Sequence, residues 1–255
     1  MCSEVAGIEM RQLLGVPVHA ATMGQTVQLC AAAIENHQPL VIGVVNAAKV
    51  VKMHRDQTLR QSVLDSDLIL ADGISVVWAS WLLRRSVPER IAGIDLFLRL
   101  LDLANDRGFS VYFLGAEETV CEKLLRRVRK IYPNIKIAGC RDGYFNPADS
   151  EKIADHIRGA KPDMLFLGMT SPKKEIFMAK FGKQLDVPVI HGVGGSFDVL
   201  AGKVKRAPRL WQQFGLEWLY RVVQEPRRMW RRYLVTNTLF IGLLLREMVR
   251  RGVRA

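Results

Sequence analysis

Glycine and polar residues follow four apolar runs of the sequence, and these segments are the first candidates for binding a ligand. They are Ala71-Asp-Gly73, Gly115-Ala116, Gly168-Met-Thr-Ser-Pro172 and Gly192-Val-Gly-Gly-Ser-Phe-Asp198. In an open parallel sheet, ligands bind beyond the carboxyl ends of the strands. Each segment alone is also typical of an ordinary strand-to-helix turn, because glycine is common there. Four of them at one sheet edge favour a binding cleft.

The absence of several standard catalytic motifs excludes some classes of reaction for that cleft. There is no G-x-G-x-x-G after the first apolar run and no G-x-x-x-x-G-K-[ST], which argues against a dinucleotide enzyme and a P-loop NTPase. Gly192-Val-Gly194-Gly195 is only a partial dinucleotide fingerprint. H-E-x-x-H and G-x-S-x-G are also absent from the sequence. No carboxylate–histidine cluster indicates a metal, and we expect no cofactor.

Alternating strands and helices are the elements that would position these segments. Continuous apolar runs predict buried strands at 40–45, 68–70, 111–114, 164–167 and 187–190. Helical patterns lie between them, at about 26–36, 75–83, 95–105, 117–131, 148–158 and 174–181. The alternation predicts an α/β fold with a Rossmann-like, mostly parallel sheet and helices on both faces.

The composition is that of a folded chain from a reduced compartment. Of the 255 residues, 49% are hydrophobic and 24% are charged, which excludes global disorder. The four cysteines are scattered and none has C-x-x-C spacing, so a disulfide scaffold is not expected. Residues 1–16 lack a basic segment followed by an apolar run, so we expect no secretory signal.

The positive charge is concentrated at the end of the chain. The net charge is +12, and residues 203–255 hold thirteen Lys and Arg against three Asp and Glu. Such a segment attracts a polyanion, which leaves nucleic acid, an anionic membrane and a phosphorylated ligand as alternatives. We predict two units, an α/β catalytic domain at 1–202 and a basic helical appendage at 203–255.

Tryptophan and arginine in the appendage favour a membrane surface. Trp211, Trp218 and Trp230 lie among its arginines, and Pro226 is expected to divide it into two helices. Residues 234–245 are mostly apolar but too few to span a bilayer. This composition suits a helix lying in a membrane interface. The alternative is that 234–245 packs on the body, and nucleic-acid binding would leave the apolar run unexplained.

An ordered set of short motifs resembles the WecG/TagA/CpsF glycosyltransferases, a bacterial family that makes lipid-linked surface glycans. The motifs appear in the family's order from about residue 40 to 233. They are Asn46-Ala-Ala-Lys49, Ala71-Asp-Gly73, Glu89-Arg-Ile-Ala-Gly-Ile-Asp95, Phe113-Leu-Gly115, Gly168, Ser171-Pro-Lys-Lys-Glu175, Gly192 to Gly202, Arg206-Ala-Pro208, Gly215-Leu-Glu-Trp-Leu-Tyr-Arg221, Glu225-Pro-Arg-Arg228 and Arg231-Arg-Tyr233.

This resemblance implies an activity and a location. The activity is a metal-independent, inverting transfer of a hexosyl unit from a UDP-sugar to a polyprenyl-diphosphate-linked sugar, in exopolysaccharide or surface-glycan assembly. It also implies that the C-terminal appendage completes the active site and associates with the membrane. We therefore expect a cytoplasmic protein held peripherally at the inner face of a bacterial cell membrane, with an anionic membrane surface and no nucleic acid as partner. Homo-oligomer formation is left open.

The resemblance also assigns residues. Asp72 is the general base for the acceptor hydroxyl, because an alcohol is a poor nucleophile until its proton is removed. Arginines and helix N-termini must then stabilise the leaving UDP. The arginine candidates are Arg90 and, at i, i+7 and i+10 of a helix, Arg221, Arg228 and Arg231. The other donor- or acceptor-binding candidates are Asn46, Asp95, Gly115, Lys174, Glu175, Gly192, Gly194, Gly195 and Asp198.

For three of these residues a purely structural role is the alternative. Asp72 could be a turn residue, since Asp-Gly is a common turn pair. Arg90 could form a surface ion pair with Glu89 or Asp95. Asp198 could cap a helix.

Two positions depart from the family's usual pattern. Val44 stands where a threonine is common, and Lys174 stands where a glutamine is common. Lys174 adds a cation that could meet a phosphate or a sugar carboxylate, so an N-acetylmannosamine-like unit, another hexose and a uronic acid remain alternatives for the transferred sugar. The rival functions are a nucleotide-binding Rossmann-like oxidoreductase and a non-enzymatic basic adaptor for membrane or nucleic acid.

Overall fold

The computed structural model of the chain describes residues 5–213, 215–224 and 226–252. Its strands are β1 Met10–Leu13, β2 Val16–His19, β3 Leu40–Val45, β4 Leu68–Ala71, β5 Ser110–Gly115, β6 Lys136–Arg141, β7 Met164–Gly168 and β8 Val189–Gly192. Its α-helices are α1 Met23–Glu35, α2 Ala47–Met53, α3 Gln57–Leu64, α4 Ile74–Leu82, α5 Gly93–Arg107, α6 Glu118–Ile131, α7 Ser150–Ala160, α8 Lys173–Phe181, α9 Ser196–Leu200, α10 Arg209–Gln213, α11 Glu217–Gln224 and α12 Pro226–Gly252.

Six strands form one parallel sheet with helices around it. Their order across the sheet is β4-β3-β8-β7-β5-β6, and every pairing between neighbours is parallel. All residues of β3, β4 and β8 are buried, as expected for strands covered on both faces. The predicted α/β fold is confirmed, and the four glycine-bearing segments do follow the carboxyl ends of parallel strands.

Several elements carry no clear sequence signal. Strand β6 lies at the sheet edge and its residues are partly exposed, so Lys136–Arg141 has no continuous apolar run. The hairpin of β1 and β2 lies outside the main sheet. Its turn residues Leu14 and Gly15 have φ of 52° and 73°, the two positive values that a two-residue type I′ hairpin requires.

An aromatic cluster fixes α5 against the sheet. The ring of Phe97 on α5 lies 4.8 Å from that of Phe166 on β7 and 5.8 Å from that of Phe197 on α9, centroid to centroid. All three side chains are fully buried. Aromatic pairs in these tilted and edge-to-face arrangements are worth about 0.5–1.5 kcal/mol beyond their burial. The packing therefore sets where the first turn of α5 meets the sheet edge.

The last helix joins the core of the body along one side. Phe240 and Leu244 of α12 are 4% and 9% exposed and belong to the same apolar cluster as Val18 of the hairpin and Met53 of α2. Helix α12 begins at Pro226, so the predicted break there is confirmed; proline suits a first helical turn because it needs no N–H partner. The boundary between 202 and 203 stays a prediction.

Candidate active site

Asp72 lies at the end of β4 and is held by two hydrogen bonds. Its Oδ1 accepts from the Gly93 N–H at 2.9 Å, and its Oδ2 accepts from Asn46 Nδ2 at 3.2 Å. Its own N–H donates to the Val45 carbonyl at 2.9 Å. The residue is half-buried. Because a carboxylate has about four lone-pair sites, each oxygen keeps room for a further donor, which is what a general base needs.

Asn46 connects the neighbouring strand to this carboxylate. It caps α2, with its Oδ1 accepting from the Lys49 N–H at 3.0 Å, so its Nδ2 is left to face Asp72. Asparagine is favoured at such a cap because its short side chain reaches the free N–H groups of the first turn. The cap thus determines the direction of the amide. The structure brings Asn46 and Asp72 together, as their place in the predicted cleft requires.

The first turn of α5 completes the support of Asp72. Gly93 opens this helix, so its N–H is one of the donors that have no partner within the helix. The Gly93 carbonyl accepts a hydrogen bond from His191 Nε2 at 3.1 Å. Burial lowers the pKa of His191 to about 4, against smaller opposing effects of the backbone and Asp72. The imidazole is therefore neutral at pH 7 and fixes Gly93 without adding charge.

Glycines let the neighbouring strand ends approach closely. Gly115 has φ of 142°, and a Cβ there would lie 2.4 Å from the carbonyl carbon of Gly168. The Ala116 N–H donates to the Gly168 carbonyl at 3.1 Å. Gly194 has φ of 55° in the turn after β8, where its N–H donates to the Leu167 carbonyl at 3.1 Å. Larger residues at Gly115 would force these strand ends apart.

The remaining glycine candidates and Asp198 lie in the same turn. Gly192 ends β8, and Gly195 directly precedes α9. Asp198 lies in the first turn of α9 and makes no side-chain cap there; its Oδ1 lies 3.9 Å from Lys203 Nζ. Asp198 is therefore near the start of the basic segment.

A buried ionic cluster lies beneath the strand end of β8. Glu175 Oε1 accepts from Lys49 Nζ at 2.7 Å and also from Lys174 Nζ. Lys49 Nζ donates in addition to the Val44 carbonyl at 2.7 Å. Lys174 is only 7% exposed, and its aliphatic chain lies directly under Gly192. The cluster ties α2 to α8 below the cleft, and Lys174 is already paired within it.

Charge in this cluster is unequally compensated, since two ammonium groups share one carboxylate. Burial opposes ionisation of Glu175, but Lys49 and Lys174 outweigh it and hold its pKa at about 2. Burial and the neighbouring charge of Lys49 lower the pKa of Lys174 from 10.5 to about 8, although Glu175 raises it. Below pH 8 the folded protein thus carries a buried ammonium that the unfolded chain would hold in water.

Lys174→Gln tests this cluster through the pH dependence of stability. Between pH 8 and 10.5 the unfolded chain binds the Lys174 proton more tightly than the folded protein does, so the free energy of unfolding rises with pH there. We expect urea titrations at pH 7.5 and 9.5 to show a rise that is larger for the wild type than for Lys174→Gln, by about 2 kcal/mol. The exposed Lys183→Gln is the control and should follow the wild type. Equal slopes for all three proteins would contradict the lowered pKa.

Arg90 and Asp95 lie together in a network that includes the appendage. Arg90 Nη1 donates to Glu217 Oε2 at 2.7 Å, and its Nη2 lies 3.8 Å from Asp95 Oδ2. Arg206 pairs with the same two carboxylates, at 2.6 Å to Asp95 and 3.3 Å to Glu217. Two arginines and two carboxylates thus alternate, and residues from both sides of position 203 take part.

A second contact places the appendage beside Asp72. Gly215, with φ of 68°, packs on Ile74, where a Cβ would lie 2.6 Å from Ile74 Cγ2. Ile74 opens α4 and is two residues from Asp72. The turn between α10 and α11 therefore covers the start of α4.

The arginines expected on one face of the appendage are only partly described. The side chains of Arg221 and Arg228 lie outside the described part of the structure. Arg231 is exposed, and its guanidinium carbon lies 5.9 Å from the centre of the Trp230 ring. Among the residues that the structure describes, no contact joins Arg231 to the network of Arg90.

Several contributors to the site were not assigned from the sequence. Lys49, Gly93, Arg206 and Glu217 lie within matched motifs, so their motif membership was the available signal. A backbone N–H such as that of Gly93 leaves no mark in residue type. His191 is a single polar side chain in the buried strand β8, and its residue type alone does not show that it bonds Gly93.

The described residues contain neither a metal-binding cluster nor a membrane-spanning helix. No three His, Cys, Asp or Glu side chains among them are grouped so that they could hold a metal ion. Within residues 5–213, 215–224 and 226–252, none of the helices combines the length and apolar character needed to cross a membrane.

Comparison with known proteins decides the family. The model of the glycosyl transferase WecG/TagA/CpsF family matches residues 11–254. The chain belongs to this family. As a WecG/TagA/CpsF member it is a glycosyltransferase, and the resemblance carried by its motifs is confirmed.

Two relatives of this WecG/TagA/CpsF protein carry the same name. Each is described as an N-acetylglucosaminyldiphosphoundecaprenol N-acetyl-beta-D-mannosaminyltransferase. The protein from Bacillus spizizenii (strain W23) is 44% identical over 175 residues, 68% of this chain and 67% of the relative. The protein from Bacillus subtilis (strain 168) is 38% identical over 194 residues, 76% of this chain and 75% of the relative.

Proposed function

We propose that this chain transfers an N-acetylmannosaminyl unit, with inversion and without a metal ion, from a UDP-sugar to an N-acetylglucosamine carried on a polyprenyl diphosphate. The names of the two relatives supply the sugar and the class of acceptor. The UDP donor, the inversion and the metal independence come from the resemblance of the motifs. The observation that carries the proposal is the Asp72 carboxylate, held at the sheet edge by Gly93 and Asn46.

In this mechanism Asp72 accepts the proton of the acceptor hydroxyl. The hydroxyl oxygen attacks the anomeric carbon from the side opposite to UDP, and the bond between that carbon and the diphosphate oxygen breaks with its electron pair leaving on UDP. A positioned base contributes about 10²–10⁴-fold to such a step. The Gly93 N–H and the Asn46 amide orient the carboxylate, and within the described part of the chain it has no ion-pair partner.

The leaving UDP gains negative charge, which the same edge of the sheet would stabilise. Helix α4 begins two residues after Asp72, and its N-cap Gly73 provides no side-chain cap, so N–H groups of its first turn can donate to an anion. Arg90 lies beside the start of α5 and is held by Glu217 from the appendage. We propose that this link positions Arg90 for the diphosphate and is how the appendage completes the site.

Val44 and Lys174 are the two departures from the family pattern, and where they lie supports N-acetylmannosamine as the transferred sugar. Val44 is buried in the apolar core, and Lys174 lies under Gly192 in its pair with Glu175. Neither side chain lines the open side of the cleft, so we propose that they adjust the support of Asn46 and not the sugar pocket. For Lys174 to meet a sugar carboxylate, that group would have to compete with Glu175.

The outer side of α12 is the proposed membrane surface. Trp230, Leu234, Ile241, Leu245 and Val249 are 50%, 59%, 54%, 55% and 66% exposed and recur at helical spacing along one stripe. Arg227 and Arg231 are exposed on the same helix. A helix with an apolar stripe and flanking cations lies in a membrane interface. We propose that this stripe holds the enzyme at the cytoplasmic face, where the lipid-linked acceptor resides.

A panel of UDP-sugars tests the proposed donor. We expect UDP-N-acetylmannosamine to raise the unfolding temperature more than UDP-N-acetylglucosamine, UDP-glucose or UDP-glucuronic acid, because a ligand at 100 times its Kd stabilises by about 2.7 kcal/mol. Transfer to a short-chain N-acetylglucosaminyl diphosphate lipid should follow the same order. A preference for UDP-glucuronic acid would contradict the donor and return Lys174 to the sugar site. Stabilisation by NAD(P) alone would favour an oxidoreductase.

A further inference from the structure

A cavity of about 280 Å³ lies at the junction of the hairpin, α2 and α12. Leu14 and Gly15 of the hairpin turn form one wall, and His54 at the end of α2 forms another. Arg246, Glu247 and Arg250 of α12 line the third side. None of the residues that line it belongs to the candidate active site, so any ligand here would be additional to the donor and the acceptor.

The hairpin wall of this cavity is firmly held. His54 Nε2 donates to the Leu14 carbonyl at 3.0 Å, and Arg60 Nη2 donates to the Gly15 carbonyl at 2.8 Å. Carbonyl oxygens in a cavity wall repel an anion, but hydrogen bonds from side chains already engage these two. The wall is therefore compatible with a negatively charged ligand.

The helix side supplies positive charge. Arg246 and Arg250 lie one turn apart, so they occupy the same side of α12. Both are exposed, and among the described residues neither has a hydrogen-bond or ion-pair partner. Glu247 lies 3.8 Å from Arg85, which also donates to the Gln12 carbonyl. The one carboxylate of the cavity is thus balanced by an arginine of its own.

From this arrangement we propose that the cavity is a binding site for a phosphate group. Two neighbouring guanidinium groups suit the oxygens of a phosphate, since each can bind two of them at once. The volume is close to the lower limit of about 300 Å³ for small-molecule sites, which fits a phosphate esterified to a small alcohol. Such a group is present in a phospholipid headgroup and in free phosphorylated metabolites.

The position on α12 makes a headgroup accessible to this site. Arg246 follows Leu245 of the exposed stripe by one residue, about 100° around the helix. Arg246 and Arg250 thus lie on the flank of α12, between its exposed stripe and its packed side. When the stripe lies in a membrane, this flank is at the depth of the headgroups. The site therefore adds a specific contact to the general attraction between basic residues and anionic lipid.

Two double variants with equal charge test the site. Arg246→Gln with Arg250→Gln removes the two cavity arginines, and Arg227→Gln with Arg231→Gln removes two exposed arginines elsewhere on α12. Calorimetric titration with glycerol 3-phosphate, and sedimentation with vesicles of phosphatidylglycerol and phosphatidylcholine, are compared with the wild type. We expect the cavity variant to lose at least tenfold in affinity and the control variant to lose clearly less. Both should unfold at the wild-type temperature because all four side chains are exposed.

The pattern of results identifies the source of the phosphate. Saturable binding of glycerol 3-phosphate that only the cavity variant loses assigns the site to free phosphorylated molecules. A selective loss on vesicles without binding of glycerol 3-phosphate assigns it to a lipid headgroup. Equal losses for the two double variants in both assays, or no loss, overturn the proposal, since charge alone would then explain the binding. Sugar transfer is not the readout, so the result is independent of the proposed reaction.

Discussion

Asp72→Asn is expected to lower the rate of sugar transfer by about 10²-fold or more while the protein stays folded. An amide of the same shape can still accept from the Gly93 N–H, which now bonds Asp72 Oδ1 at 2.9 Å, but it cannot take the proton of the acceptor hydroxyl. The loss should therefore appear in kcat and not in the affinity for UDP. Steady-state kinetics with a short-chain acceptor, and calorimetry with UDP, measure the two quantities.

Asp67→Asn is the matched control for this variant. Asp67 directly precedes β4, at the amino ends of the parallel strands, whereas Asp72 follows the carboxyl end of β4. The Oδ2 of Asp67 accepts from the Val41 N–H at 2.9 Å. The two substitutions thus make the same chemical change to a carboxylate that receives a backbone hydrogen bond. Asp67→Asn should cost stability only. Turnover of Asp72→Asn within a fewfold of the wild type would remove Asp72 from the role of general base.

Shortening two neighbouring side chains of α12 is expected to lower the free energy of unfolding by very different amounts. Phe240→Ala should lower the free energy of unfolding by about 3–5 kcal/mol, because Phe240 is 4% exposed and packs with the hairpin and α2. Ile241→Ala should cost less than about 1 kcal/mol, because Ile241 is 54% exposed. Urea titration at a common temperature measures both. Phe240→Leu provides a milder change at the same site if the alanine variant is too unstable to purify.

Binding to anionic vesicles should depend on the exposed residues of α12 and not on the buried Phe240. Ile241→Ser with Leu245→Ser removes apolar surface from the exposed stripe and should weaken sedimentation with anionic vesicles, with little change in unfolding. Phe240→Leu should bind vesicles as the wild type does, because its side chain points into the core. Unchanged vesicle binding by the serine variant would show that the stripe of α12 is not the membrane surface.

The sheet was predictable from sequence because its inner strands are buried on both faces. Leu40–Val45 and Met164–Gly168 show that burial as continuous runs of apolar residues and glycine, and parallel pairing follows from the helices between the strands. The edge strand Lys136–Arg141 was missed, since an edge strand is half solvated and its composition resembles a loop. The short helices α2 and α3 were missed for a related reason, since each spans only about two turns.

The candidate site was predictable only where residue type carries the chemistry. Asp72 and Asn46 stand at strand ends with the side chains that the reaction needs. The bond from Gly93 comes from the backbone, and any residue supplies an N–H. The pairing of Arg90 with Glu217 joins positions 127 residues apart, and no local pattern encodes such a distance. Of the two partners suggested for Arg90, Asp95 lies in the same network at the longer distance of 3.8 Å, whereas Glu89 accepts from the Met23 N–H.

The contact of α12 with the hairpin also has a consequence for how the protein is made. A ribosome synthesises Leu13 and Val18 more than 200 residues before Phe240 and Leu244, yet all four share one apolar cluster. Synthesis proceeds at about 5–20 residues per second. The helix that covers the hairpin is therefore made on the order of ten seconds or more after it. Until α12 emerges, the apolar side of the hairpin is exposed, and a chaperone can bind there.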